Sequence, residues 1–275
     1  MSLESDHRGT KVPEVTLGFW IIKILATTLG ETGGDTVTMT WLGETTSHAI
    51  PYGYLIGTGI FLTLLVLLVM LQIAAKKFHP FLFWATIVAS TTAGTTMADF
   101  ADRSLGIGYT GGSSVLLGCV LASLAIWHWS EGTVSVTTVN RPRVEMFYWI
   151  TITFSQTLGT ALGDWMADTS GLGYLGAAGV FMAGLVILAI AYYATRISRV
   201  ALFWAAFILT RPLGATVGDF FDKPVSDGGI AVNRPIATAI IAGVMILLIL
   251  VIPQRAGSHP GANASTVNRR GVWAG

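Results

Sequence analysis

The chain has 275 residues, 52% of them hydrophobic and only 11% charged, with a mean hydropathy of +0.65. Soluble domains carry about 25% charged residues, so this composition excludes an ordinary soluble globule and indicates an integral membrane protein with the lipid bilayer as its first partner. Lys+Arg 16 against Asp+Glu 15 gives a formal net charge of +1, which argues against nucleic acid or a strongly charged partner.

The N-terminal tail, residues 1–15, holds Glu4, Asp6, His7, Arg8, Lys11 and Glu14 before any apolar run. That is unlike a cleavable signal peptide, so the mature chain is expected to begin near Met1. Eight segments then approach the roughly 20 apolar residues that cross a bilayer: about 16–41, 53–74, 81–101, 110–128, 146–168, 172–194, 200–222 and 234–253. The first contains Phe19-Trp20, Lys23, Thr27, Gly30, Glu31, Gly34 and Asp35, and the second is apolar throughout. The third repeats the first with Phe83-Trp84, Thr91, Gly94, Thr95, Ala98 and Asp99; the fourth is apolar and carries the lone Cys119, expected as a small packed residue. The fifth has Tyr148-Trp149, Gln156, Gly159, Thr160, Gly163 and Asp164, and the seventh has Phe203-Trp204, Arg211-Pro212, Gly214, Ala215, Gly218 and Asp219. The sixth is again charge-free, and so is the eighth beyond Arg234. The residues from 254 to 275 are expected to form a flexible tail.

In all four odd segments the glycine follows the tryptophan by ten residues and the aspartate by fifteen. This constant spacing is internal evidence of tandem repetition, with copies at about 16–75, 80–129, 145–195 and 199–253 inside one domain spanning 16–253. Each copy crosses twice, so all four point the same way. The expected fold is all-α and polytopic: eight transmembrane helices as four parallel two-helix repeats, each a helical hairpin, arranged with pseudo-fourfold symmetry or as two such pairs. Polar groups are costly against lipid, so the odd helices belong inside. Eleven basic residues lie in the termini and inter-repeat loops (Arg8, Lys11, Lys76, Lys77, Arg141, Arg143, Arg196, Arg199, Arg255, Arg269, Arg270), against Arg103, Lys223 and Arg234 in the loops within repeats. The positive-inside rule then puts both termini in the cytoplasm, with the cell inner membrane as the expected location.

At about 100° per residue, Trp20, Lys23, Thr27, Glu31, Gly34 and Asp35 share one helix face, and the other three copies repeat the register. Polar levels stack along the helices with the aspartates outermost. The pathway residues named by this face are Lys23, Thr27, Glu31, Asp35, Thr91, Thr95, Asp99, Gln156, Thr160, Asp164, Arg211 and Asp219. The aspartates either end their helices and pair with Arg103, Lys223 or Arg234, or form a cation-attracting ring. A second carboxylate follows in three copies, Asp102, Asp168 and Asp222, expected as more exposed loop charges. The pairs Gly30/Gly34, Gly94/Ala98, Gly159/Gly163 and Gly214/Gly218 are small-xxx-small packing signals, although they also suit a loosened helix that turns carbonyls toward an ion. Trp20, Trp84, Trp149 and Trp204 fit an interfacial belt or helix-packing wedges. Pro212 is expected to kink its helix.

Lys23, Glu31 and Arg211 break the symmetry. Two cations at membrane depth face five carboxylates, Glu31, Asp35, Asp99, Asp164 and Asp219, giving −3 if all are ionised. That excess calls for a bound cation or protons, while an Arg211–Glu31 ion pair serving assembly is the competing account. Glu31 and Asp35 are the candidate metal ligands, and oxygen donors without cysteine suit hard divalent cations or manganese. His79 and His128 form no metal-binding pattern, no nucleophile–base pair or phosphate loop is legible, and neither enzymatic activity nor a cofactor is expected.

Tandem two-span repeats with an early tryptophan and segments such as Thr28–Asp35 (TLGETGGD) and Thr157–Asp164 (TLGTALGD) resemble a bacterial family of membrane-anchored proteins made of a repeat of unknown function. The resemblance covers about 19–253 and implies the architecture without an activity. The expected function is a cation transporter or channel, for a divalent metal or coupled to protons. The alternative is a non-transporting scaffold or sensor that binds a lipid or partner protein. A hydrated passage between the odd helices favours the first, and a dry, close-packed centre the second.

Overall fold

The computed structural model describes residues 9–47 and 49–258. Three of the basic residues counted above (Arg8, Arg269 and Arg270), the charged residues Glu4, Asp6 and His7, and the tail from 259 onward lie outside the described residues. The described chain is all-α, with eight long helices: α1 (Leu17–Asp35), α2 (Gly53–Ala74), α3 (Pro80–Asp99), α4 (Tyr109–Glu131), α5 (Pro142–Asp164), α6 (Gly173–Ala194), α7 (Arg199–Asp222) and α8 (Arg234–Val251). Their starts follow local chemistry. Thr16, Ser198 and Asn233 cap α1, α7 and α8 by accepting from Phe19, Ala201 and Ile236 N–H groups, and prolines occupy the first turns of α3, α5 and α8, where a missing N–H costs nothing. Six helices, all but α1 and α5, are long and apolar enough to cross a membrane. The other two are more polar: α1 carries Lys23, Glu31 and Asp35, and α5 carries Gln156, several threonines and Asp164 as well as Arg143 and Glu145 near its start.

The odd helices form the interior. Helix α1 packs on α3, α3 on α5, α5 on α7, and α7 back on α1, a closed set of neighbours. The even helices lie outside and expose large apolar side chains such as Leu67, Val115, Ile187 and Leu247. They do not pair as the self-contained hairpins expected from sequence. Helix α2 leans on α3, α4 on α5, α6 on α7, and α8 on α1, so each outer helix covers the inner helix of the next copy and the last closes on the first. This offset staples the copies together, because separating any two neighbours uncovers an outer helix as well as an inner one.

The same cyclic order governs the smallest contacts. A Cβ on Gly30 would meet Thr91, one on Gly159 would lie 2.1 Å from Arg211 Cγ, and one on Gly214 would lie 2.1 Å from Thr27 Oγ1. At Gly94 the obstacle is backbone, with Gln156 C at 2.8 Å and Thr157 N at 2.9 Å. The glycines therefore set the helix separation, which is the packing role of small residues between membrane helices. Gly94→Ala is expected to cost about 1–3 kcal/mol because main chain cannot step aside. Gly59→Ala on the outer helix α2, where a Cβ meets nothing within 4 Å, is expected to stay within about 0.5 kcal/mol. Denaturation of the purified variants in detergent reads the difference.

Both described chain ends lie at one end of the bundle, called proximal here. Glu14 N–H donates to Arg255 O (2.9 Å) and Lys11 N–H to Val139 O (2.8 Å), so the N-terminal segment is clamped between the start of the C-terminal tail and the 132–141 connection. The Lys11 ammonium group also pairs with Glu145 at 2.7 Å and caps the end of α2 through Gln72 O and Ile73 O. This proximal lock was not legible in sequence, where Lys11 and Glu145 are simply charges next to apolar runs. Helix α7 runs unbroken through Pro212, whose Cδ would lie 3.0 Å from a Cβ on Gly159, so the proline ring fills a helix contact.

Candidate functional site

The motif residues build five levels along the bundle axis. At the proximal level the aromatic pairs link in a ring: Phe19 to Trp84 (5.5 Å between centroids), Phe83 to Trp149 (5.9 Å), Tyr148 to Trp204 (6.3 Å) and Phe203 to Trp20 (5.7 Å). Trp84, Trp149 and Trp204 are buried and Trp20 is half-buried. Two indole N–H groups are tied to the proximal lock, Trp84 to Gln254 Oε1 (3.0 Å) and Trp204 to Val134 O (2.9 Å). The tryptophans thus act as wedges between copies rather than as a lipid-facing belt. Trp127 of α4 joins them, 5.8 Å from Trp204 and fully buried.

Above the aromatics, Lys23, Ile87, Ile152 and Phe207 come from the four inner helices and are all fully buried. The Lys23 ammonium group stands 4.2 Å over the centre of the Phe207 ring. One turn further lie Thr27, Thr91, Gln156 and Arg211, again with no solvent exposure. Thr27 Oγ1 donates to Thr210 O (3.1 Å) and Thr91 Oγ1 to Ala26 O (3.2 Å), each bond crossing between helices. The guanidinium group of Arg211 then rises to the next level. Its Nη2 donates to Glu31 Oε2 (2.8 Å), Thr95 Oγ1 (2.7 Å) and Thr160 Oγ1, so one side chain of α7 binds α1, α3 and α5 together. Of the two accounts left open for Arg211 and Glu31, their ion pair is present.

The distal level collects the aspartates. Asp35, Asp99, Asp164 and Asp219 are each at most 4% exposed, and the first three are the last α-helical residues before the backbone widens into π-helical turns at Thr36–Trp41, Phe100–Ser104 and Trp165–Thr169. Such widenings recur at functional sites, and nothing in the motif spacing announces them. The aspartates are not equivalent. Lys223 Nζ donates to Asp35 Oδ2, lies 3.1 Å from Asp219 Oδ1 and touches Met39 Sδ at 3.6 Å. Arg103 pairs with Asp99 at 2.8 Å. No ion pair or hydrogen bond reaches Asp164 among the described residues. Asp222 is buried, 3.7 Å from Arg234, whereas a more exposed position was expected; Asp168 is exposed as expected and Asp102 half-buried. Apart from Glu145 in the proximal lock, the buried carboxylates among the described residues thus number six, with Glu31 and Asp222 added to the four aspartates, and Arg211, Lys223, Arg103 and Arg234 pair with them while Lys23 adds a fifth buried positive charge. The excess of −3 expected from sequence is therefore largely offset by basic residues at the distal helix ends.

Glu31, Asp35 and Asp219 each present a carboxylate oxygen within 4.8 Å of the other two, all buried, a spacing that one metal ion can bridge. Asp219 enlarges the Glu31–Asp35 ligand pair expected from sequence; it belongs to the fourth copy, which α7–α1 packing brings beside the first. Gly218 permits this approach, since a Cβ on it would lie 2.8 Å from Glu31 Cβ, and Gly34 brings α1 close to α3, where a Cβ would lie 3.0 Å from Thr95 Cγ2. Gly163 meets Ala215 Cβ at 3.2 Å in the same manner, and Ala98 is buried at this level. His79 and His128 are exposed and Cys119 is half-buried on α4, all away from these levels.

No curated protein and no solved structure matches the chain. Four tandem matches to one repeat cover residues 18–78, 82–133, 147–198 and 202–255, each starting just before an inner-helix aromatic pair and ending beyond an outer helix. The chain belongs to the family of the Repeat of Unknown Function (DUF347).

Proposed function

We propose that the protein is an inner-membrane transporter or channel for a small cation, a hard divalent metal or a proton-coupled ion, with its binding site among the carboxylates between the inner helices. The reading includes eight transmembrane spans in a pseudo-fourfold arrangement with both termini cytoplasmic, which places the aspartate level toward the outer face. The cyclic packing of α1, α3, α5 and α7 supports that arrangement, and the inward burial of α1 and α5 explains how two charged helices fit among six apolar ones. The observation that carries the function is the convergence of buried Glu31, Asp35 and Asp219 carboxylate oxygens within 4.8 Å of one another.

The test is flux of a cation panel, Mn²⁺, Mg²⁺, Ca²⁺ and H⁺, into proteoliposomes. Glu31→Gln or Asp35→Asn is expected to lower the flux at least about tenfold, in line with loss of a ligand that contacts the ion. Full flux through a folded double variant would sink the reading.

A second reading is favoured by Arg211 and the glycine contacts. A guanidinium group bonded to three other helices, above a level where backbones touch, ties the four inner helices together. A scaffold or sensor binding lipid or a partner protein would need no more than this. On that reading the carboxylate variants lower the melting temperature and leave ion permeability unchanged.

A further inference from the structure

The two levels beneath the carboxylates contain hydrogen-bonding groups with nothing to bond. Among the described residues, Lys23 Nζ, Arg211 Nε and Nη1, and both amide atoms of Gln156 have no hydrogen-bond partner, and all three side chains are fully buried. Among the described residues Lys23 has no carboxylate partner, and its ammonium group faces the Phe207 ring. Glu31 engages only Nη2 of Arg211.

These groups are close in the fold. Phe207 lies one turn before Arg211 on α7, so the Lys23 ammonium over its ring sits one turn proximal to the guanidinium, about 6 Å along the axis. Gln156 occupies the same motif position on α5 as Arg211 does on α7, and Gly159, one turn on from Gln156, is in contact with the Arg211 stem.

The chemistry of the set is one-sided. An ammonium group has three N–H donors, the free guanidinium edges have three more, and the amide adds two, against a single amide oxygen as acceptor. A water molecule accepts from such donors but brings hydrogens of its own, and it leaves the ammonium charge uncompensated. An anion accepts from all of them and cancels the charge. One unpaired positive charge fits a monovalent species. The apolar walls, Ile87, Ile152 and Phe207, oppose a doubly charged anion, whose desolvation cost is higher.

We infer that the proximal half of the bundle axis holds a small monovalent anion of halide size, gripped by Lys23, Gln156 and Arg211. It is a resident counter-ion, about 18 Å along α1 from Asp35, and it serves the assembly whether or not the carboxylate level carries a cation.

The full-length protein, purified in detergent and exchanged into sodium gluconate, is titrated with sodium bromide at constant ionic strength while its thermal unfolding is followed. Wild type is expected to show a saturable rise in melting temperature. Lys23→Met is expected to lose that rise, and Gln156→Leu to need about tenfold more bromide or higher for the same effect. The same rise in Lys23→Met as in wild type, or no bromide-dependent rise at all, overturns the inference. Crystals of the wild-type protein grown in bromide give a readout that does not depend on how the variants fold. An anomalous peak within hydrogen-bonding distance of Lys23 Nζ supports the site, and an axis without one overturns it.

Discussion

Replacing Arg211 by methionine is expected to lower the unfolding free energy by about 3–5 kcal/mol, the range for stripping one partner from a buried ion pair. Methionine keeps much of the stem volume against Gly159 and Pro212, so the loss comes from the head group. Glu31, only 2% exposed, keeps its charge and loses the cation 2.8 Å away. Thr95 and Thr160 lose the same donor, and α7 loses its polar tie to the three other inner helices. Glu31→Gln alone is also destabilising, since it leaves Arg211 and Lys23 as unbalanced cations. The double variant removes both charges, and it is expected to recover at least about 2 kcal/mol relative to the sum of the single changes, because contacting residues in one network do not add. Denaturant unfolding of the four proteins in detergent completes the cycle. An additive cycle, or a cost for Arg211→Met below about 0.5 kcal/mol, would mean that this guanidinium group is not what joins the helices.

The inside and the outside of the bundle were legible in sequence because carboxylates and glycines recur at fixed distances from a tryptophan on one set of helices only, and lipid tolerates them on no other surface. The Arg211–Glu31 pair was legible only as a possibility. Spacing fixes the face on which each residue lies but not how far one helix is displaced along its neighbour, and that displacement decides whether Arg211 reaches Glu31 or an aspartate. The outer helices escaped for a related reason. A connection between α1 and α2 that runs from 36 to 52 lets α2 fold back on α1 or lean on α3, and α2 has no polar stripe to choose between them. For the tryptophans, a ring near the start of a helix suits both a lipid interface and a wedge between copies; what distinguishes them is the neighbouring copy's Phe or Tyr, as with Phe19 against Trp84. Lys223 was visible as a partner for Asp219 four residues earlier. Its simultaneous contact with Asp35 depends on the cyclic closure of α7 on α1.

Lys223→Met is expected to tighten binding of a divalent cation to the carboxylate level by about tenfold or more, equivalent to about 1.4 kcal/mol. The Lys223 ammonium group lies between Asp35 and Asp219, two of the three side chains whose oxygens can meet on one ion. It therefore stands where a cation would stand, so an arriving ion must displace it. The lysine is held from behind: its carbonyl accepts from Ala231 N–H (3.0 Å), and Gly229 sits so close that a Cβ there would fall 2.2 Å from that oxygen. Displacement thus means turning the side chain out while the backbone stays. Methionine keeps the length and the apolar stem but not the charge, leaving two buried carboxylates facing each other. The cation-free variant should therefore unfold more readily than wild type, and Mn²⁺ or Mg²⁺ should restore its stability at concentrations at least about tenfold below those that stabilise wild type. Asp219→Asn should move the affinity in the opposite direction, since it removes a ligand together with one of the lysine's partners. A Lys223→Met protein that is destabilised but indifferent to divalent cations would reduce the cluster to a structural ion pair. A variant whose affinity equals that of wild type would show that the ion binds without meeting Lys223, which puts it nearer Asp164, the aspartate that no described cation pairs with.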